Sequence, residues 1–168
     1  FAYTEVKPGK ADIKVEITTE NSDNLKKSCT ASFFLIDRTG KIVSTSKEQT
    51  LDVNANSQVI TNQQLTISNP HLWSLEDPYL YRLVVVLRSG GNIIDRKEMK
   101  LGIRKIDIRK NGVFLNDKHV KIQGVNCHQD HAGVGSALPD YLQYYRIGLL
   151  KNMGVNAYRT SHNAPTPE

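Results

Sequence analysis

Cysteine is almost missing from the 168 residues: there are two, Cys29 and Cys127, and they fall in different predicted domains. That excludes a disulfide framework and leaves the redox compartment open. No apolar run approaches the roughly 20 residues of a membrane span, so no membrane partner is expected. No signal-peptide pattern follows the opening Phe1, which reads as the start of an excised piece rather than of a natural chain. Lys and Arg exceed Asp and Glu by 22 to 17, a net charge of +5. Yet the sequence holds no run of five or six like charges, and a basic cluster on one face is what a nucleic-acid partner needs. The excess reads as a solvated surface. Tryptophan occurs once, and outside Tyr79–Tyr81 no aromatic stripe offers itself to a ligand. Cys127 and His128-x-x-His131 have the look of metal ligands, but zinc takes three or four at recurrent spacing. Only His162 is left to help, so neither metal nor other cofactor is expected.

What the sequence does have, from Ala11 to Gly102, is short alternating runs. Ile13, Val15 and Ile17 alternate with polar residues, the period of a half-buried strand. Ala31–Ile36 is a second strand, Asp37-Arg-Thr-Gly40 a turn, and Lys41–Ser46 the return. Leu51 and Val53, then Val59, Leu65 and Ile67, keep the spacing across the loop Asn54–Ser57. Tyr79–Leu87 is the strongest strand, with Tyr79, Tyr81, Leu83, Val85 and Leu87 on one face. Ser89-Gly-Gly-Asn92 is a hairpin turn and Ile93–Leu101 pairs back. About seven short strands in a hundred residues is the pattern of an immunoglobulin-like β-sandwich. In it Trp73 fills a sandwich edge and Pro78 fixes the entry to the strongest strand.

Beyond Arg104 the character changes. Asn111-Gly112 and Asn116-Asp117-Lys118 punctuate short strands, with His119 exposed at the start of one. Then Lys121–His131 and Val155–Asn163 each run from β-branched residues into polar, titratable ones. Between them Pro139 opens a helix, Leu142, Tyr145, Leu149 and Met153 form one apolar face, and Gly154 caps the end. Strand, helix, strand is a βαβ unit. In barrels of such units the strands' C-terminal ends carry the active site. Asn126, His128, Asp130, Arg159 and His162 all sit at those ends.

Four segments then carry a resemblance: Leu72-Trp-Ser-Leu-Glu-Asp-Pro-Tyr-Leu-Tyr81, Leu101-Gly-Ile-Arg-Lys-Ile106, Gly124-Val-Asn126-x-His128 and Asn156-Ala-Tyr-Arg159-Thr-Ser-His162. In order and spacing they resemble motifs of glycoside hydrolase family 2, which includes β-galactosidases, β-glucuronidases and β-mannosidases. The resemblance implies an all-β immunoglobulin-like sandwich over 1–103. An incomplete (β/α)8 TIM-barrel segment, β-α-β, follows over 104–168. The parent would be a retaining β-galactosidase acting on terminal β-D-galactosides, its partner a carbohydrate. A β-glucuronidase or β-mannosidase is the alternative within the family. A non-catalytic sandwich that binds carbohydrate or protein is the rival outside it.

The same resemblance assigns roles. His128 and His162 match the histidines that hydrogen-bond sugar hydroxyls, with Asp130 a third substrate-binding residue. Arg159 matches the arginine beside the nucleophilic glutamate, and Asn126 supports the site by hydrogen bonds. Both catalytic glutamates belong to later barrel strands. Glu168 matches neither, so this chain by itself is expected to be inactive. Cys127 stands where an arginine is common, Gln129-Asp130 where Glu-His is, and Asn163 where a tyrosine is. The form His128-Gln-Asp-His131-Ala-Gly-Val-Gly looks most like the galactosidase branch of carbohydrate-degrading bacteria, which leaves periplasm and cytoplasm both open. With so little of a barrel present, the tail is expected to be loose, to pack on the sandwich, or to associate between chains as a homo-oligomer.

Overall fold

A computed structural model describes residues 1–165. The backbone divides into two compact units. One comprises Phe1–Asp107 with Phe114–Lys118; the other comprises Ile108–Val113 and the chain from His119 onward.

The first unit is an immunoglobulin-like β-sandwich. Its strands are β1 (Ala2–Lys7), β2 (Lys10–Asn21), β3 (Lys27–Ile36), β4 (Ile42–Thr45), β5 (Gln49–Val53), β6 (Ser57–Ser68), β7 (Tyr81–Ser89) and β8 (Asn92–Leu101). One sheet has the order β1-β2-β6, the other β4-β3-β7-β8, with β5 also paired to β3. The alternation read from the sequence is the inward face. Ala11, Ile13 and Val15 of β2 and Leu65 and Ile67 of β6 meet Ala31, Phe33 and Leu35 of β3 and Tyr81, Leu83 and Val85 of β7 in one buried cluster. Strand β1 was not expected, because its polar-rich Ala2–Lys7 shows no apolar run. It forms by pairing antiparallel with β2, and this places Ala2 and Val6 against the core.

Two details of the sandwich depart from expectation. Strand β7 begins at Tyr81 rather than Tyr79, because the Tyr79 N–H is taken by the Asp77 carbonyl at 2.7 Å, a tight turn just after Glu76. Val84 and Val86 are buried although they face away from the core. Glu98 and Arg96 stand opposite them on β8, and Arg82 and Arg96 both pair with Glu98; the alkyl stems of such long charged residues can cover apolar surface. Trp73 packs closely against a glycine: a Cβ at Gly102 would lie 3.0 Å from its ring. The Trp73 backbone N–H donates to the Ile103 carbonyl, and the Arg104 guanidinium lies over the indole ring at 4.7 Å.

The turns are as the sequence implies. Asp37 accepts hydrogen bonds from the Thr39 hydroxyl and N–H and the Lys41 N–H, and these hold its carboxyl below the usual range. Gly90 and Gly91, both at positive φ, close the β7–β8 hairpin. Cys29 is buried in the core, and burial pushes its thiol up.

Asp12 gives the sandwich a pH dependence. It is 3 % exposed, and it accepts hydrogen bonds from Lys7 Nζ at 2.7 Å and Thr66 Oγ1 at 2.8 Å. These contacts lower its pKa, Lys7 first. A carboxyl with a depressed folded pKa contributes stability that is present above its unfolded value near 4 and is lost as pH falls through the folded one. The melting temperature of the chain should therefore fall below about pH 4. Asp12→Asn should lower it at neutral pH and flatten that acid limb, as a thermal-melt series from pH 2 to pH 7 would read. An unchanged acid limb in Asp12→Asn would contradict this.

The region after the sandwich holds a three-stranded sheet, β9 (Ile106–Arg109), β10 (Gly112–Leu115) and β11 (Lys118–Val120), in the order β11-β10-β9. Asn116 and Asp117, both at positive φ, form the two-residue turn between β10 and β11. His119 is exposed, as expected.

The chain after β11 forms the expected βαβ arrangement: β12 (Gly124–Cys127), α1 (Asp140–Asn152) and β13 (Ala157–Thr160), with β12 and β13 paired in parallel. Helix α1 ends slightly differently from expectation. Met153 is the cap and Gly154, at φ +86°, follows it. The Val155 N–H returns to the Leu150 carbonyl and the Gly154 N–H to the Lys151 carbonyl, the bond pair of a Schellman motif. The apolar stripe lies largely uncovered, as expected with so little of a barrel present. Tyr145, Leu149 and Met153 are 59, 48 and 75 % exposed, and no residue of α1 is buried. The half-covered face is Leu142, Gln143, Arg146 and Leu150. Two four-residue strands offer too little apolar surface to cover both.

Candidate active site at two strand ends

Strands β12 and β13 need a close approach. Gly124 stands opposite Ala157, and a Cβ at Gly124 would lie 3.2 Å from both the Ala157 carbonyl oxygen and its methyl. The pairing is locked at its start by Asn156. Its Oδ1 accepts from the Gln123 N–H at 2.8 Å, its Nδ2 donates to the Lys121 carbonyl at 2.9 Å, and its N–H donates to the Gln123 carbonyl at 2.9 Å. Gly124→Val should force the strands apart at a cost of about 1–3 kcal/mol, typical of overpacking. Urea unfolding of the second unit, followed by hydrogen exchange at Val125 and Tyr158, would show it. Unchanged protection at both amides would contradict the tight fit.

At the other end the ladder delivers the polar residues. Asn126 lies opposite Arg159 and Cys127 opposite Thr160. The Ser161 N–H extends the pairing to the Cys127 carbonyl at 2.9 Å, and Ser161 itself is 4 % exposed. Just beyond each last rung comes a histidine. His128 and His162 are both exposed, and their ring centroids are 5.5 Å apart. His162 adopts φ +57°, unusual for a residue with a Cβ, so the chain turns sharply at the imidazole. Residues held in this region persist only where surrounding bonds fix them, and they concentrate at functional sites.

The bonds that fix this corner come largely from residues given no role by sequence. Asn163 Oδ1 accepts from the Gln129 N–H at 3.3 Å, and its Nδ2 donates to Gln129 Oε1 at 3.2 Å. Arg146, from the half-covered face of α1, donates through Nη1 to the His128 carbonyl at 2.8 Å and through Nη2 to the Asp130 carbonyl. His131 closes the following loop: its N–H donates to the Gly135 carbonyl at 3.0 Å and its Nδ1 meets the Ala132 carbonyl at 2.9 Å. Asn156 and Asn163 lay inside or beside the quoted motifs and could have been found by asking which amides a parallel strand pair needs. Arg146 carried no signal, because its partners are backbone carbonyls.

Of the five residues read as the site, the fold brings all to one end of the strand pair, and all five are exposed. Asp130 contributes its carbonyl to Arg146 and leaves its carboxylate to solvent. Glu168 lies outside the described residues. Two facing imidazoles, each able to donate on one nitrogen and accept on the other, suit hydroxyl groups. Arg159, on the rung it shares with Asn126, adds a fixed positive charge at the same end of the strand pair.

Two family models match the chain: glycosyl hydrolases family 2 over residues 1–104 and the TIM barrel domain of the same family over residues 106–168. Among curated proteins, a β-galactosidase of Bacteroides ovatus is 34 % identical over 160 residues, 94 % of this chain and 19 % of that protein. A β-glucuronidase of Formosa agariphila is 30 % identical over 171 residues, 99 % of this chain and 17 % of that protein. Among solved structures, a family 2 member from Bacteroides cellulosilyticus superposes with a TM-score of 0.91 at 31 % identity, covering 99 % of this chain and 23 % of that one. A Bacteroides uniformis β-glucuronidase superposes with a TM-score of 0.91 at 25 % identity, over 99 % of this chain and 20 % of that one. The chain thus spans about a fifth of the length of the relatives it matches.

Proposed function

The chain belongs to glycosyl hydrolase family 2, and from that premise we propose that the full-length protein is a retaining β-galactosidase whose sugar-binding floor includes the strand ends described here. The observation that carries the reading is the pair of imidazoles, His128 and His162, set 5.5 Å apart where two parallel strands end. Hydroxyl contacts of this kind accelerate hydrolysis if they tighten as the sugar ring becomes oxocarbenium-like. Arg159 would stand beside the nucleophilic carboxylate and, as a fixed cation, keep it ionised. Asn126, one rung across from Arg159, supports the same edge. Asp130 is positioned by its own carbonyl and is free to meet a hydroxyl. The two catalytic carboxylates, about 5–5.5 Å apart in a retaining enzyme, belong to barrel strands after β13, so the chain by itself is proposed to be inactive.

Support for galactose over other sugars comes from the His128–Gly135 loop form and from the Bacteroides ovatus β-galactosidase among the relatives. The β-glucuronidases among them keep a glucuronide as the competing substrate. The stereochemical part of the proposal has its own test. Proton NMR of a nitrophenyl β-galactoside digested by the full-length protein should show β-galactose first, with the α-anomer growing only by mutarotation. An α-anomer that appears first would overturn the retaining mechanism.

A further inference from the structure

We propose that Arg146 is a positioning residue of the sugar site, a brace that holds His128 in register with His162; the proposal rests on the glycosidase reading above. Arg146 sits in the middle of α1, on its half-covered face. Its two terminal nitrogens donate to the carbonyls of His128 and Asp130. Those two carbonyls flank Gln129, whose N–H and side-chain oxygen are both engaged by Asn163, one residue after His162. The segment 128–130 is therefore tied from both sides. The helix holds its carbonyls, and the end of β13 holds the residue between them.

The chemistry favours a brace over a ligand. A guanidinium presents donors in a fixed planar fork, so two bonds to two carbonyls set an angle as well as a distance. A charged donor on a neutral carbonyl also makes a stronger bond than an amide would. With both terminal nitrogens so used, Arg146 directs its donors at the backbone that carries the imidazole. It acts on a substrate only through His128. His128 is exposed, so its placement opposite His162 depends on the backbone beneath it, which this frame holds.

The test is steady-state kinetics of the full-length protein on a nitrophenyl β-galactoside, with Arg146→Ala, Arg146→Lys, His128→Ala and the double variant His128→Ala/Arg146→Ala. Arg146→Ala should lower kcat/KM by about 10- to 100-fold, the scale of a small misplacement of a binding group, with an unchanged melting temperature. Arg146→Lys, keeping the charge and one bond, should fall between Ala and the native residue. In the His128→Ala background, Arg146→Ala should add less than about threefold, because the two act as a unit. Should Arg146→Ala fail to accumulate, Arg146→Gln takes its place. An active protein that is impaired by His128→Ala but not by Arg146→Ala would overturn the brace alone. Equal losses from Arg146→Ala in both backgrounds would also overturn it. A native protein that turns over no glycoside would overturn the glycosidase reading, and the brace with it.

Discussion

His162→Asn in the full-length protein should lower kcat/KM on a nitrophenyl β-galactoside by about 10²- to 10³-fold, the usual effect of removing one preorganised donor from a transition state. Asparagine is the informative replacement. It tolerates the left-handed backbone that His162 holds at φ +57°, so the loss reports the imidazole and not the turn. His162→Ala should lose at least as much and also strain the corner. His128→Ala should lose a similar factor, and the double variant less than the product of the two, since the rings are 5.5 Å apart and serve one sugar. A loss below about threefold in both single variants would place the imidazoles outside the chemistry.

Phe33→Ala should remove about 3–5 kcal/mol from the sandwich, a large part of the 5–15 kcal/mol that a domain has in total. Phe33 has no exposed surface and stands opposite Val85 in the pairing of β3 with β7. Its neighbours Ile13, Leu35, Leu65 and Leu83 are equally enclosed, so the cavity left behind has little freedom to collapse. Urea unfolding followed by the fluorescence of Trp73, the single tryptophan, reads this unit directly. The midpoint should shift strongly with the slope kept. A shift worth less than about 1 kcal/mol would mean that the core repacks around the loss.

Much of the sandwich could be read from sequence because its strands bury one face, and a period of two is visible wherever one face is apolar. Strand β1 escaped because its residues alternate weakly and its stability comes from pairing with β2. The start of β7 at Tyr81 is set by a backbone bond from Tyr79 to Asp77, which no side chain announces. The helix was legible as a helix, but its apolar stripe pointed to a face that the two short strands do not cover. At the site, the titratable residues stood out by type and by their place after β-branched runs. The residues that fix them did not. Asn156, Asn163 and Arg146 bond mainly to backbone, and such partners become visible only once the chain is folded.

The most direct measurement is a nitrophenyl-glycoside panel on the full-length protein, comparing β-galactoside, β-glucuronide and β-mannoside by kcat/KM. The account predicts turnover with clear preference for the galactoside. Preference for the glucuronide or the mannoside would contradict the sugar assignment, and turnover of none of the three would contradict the glycosidase site itself.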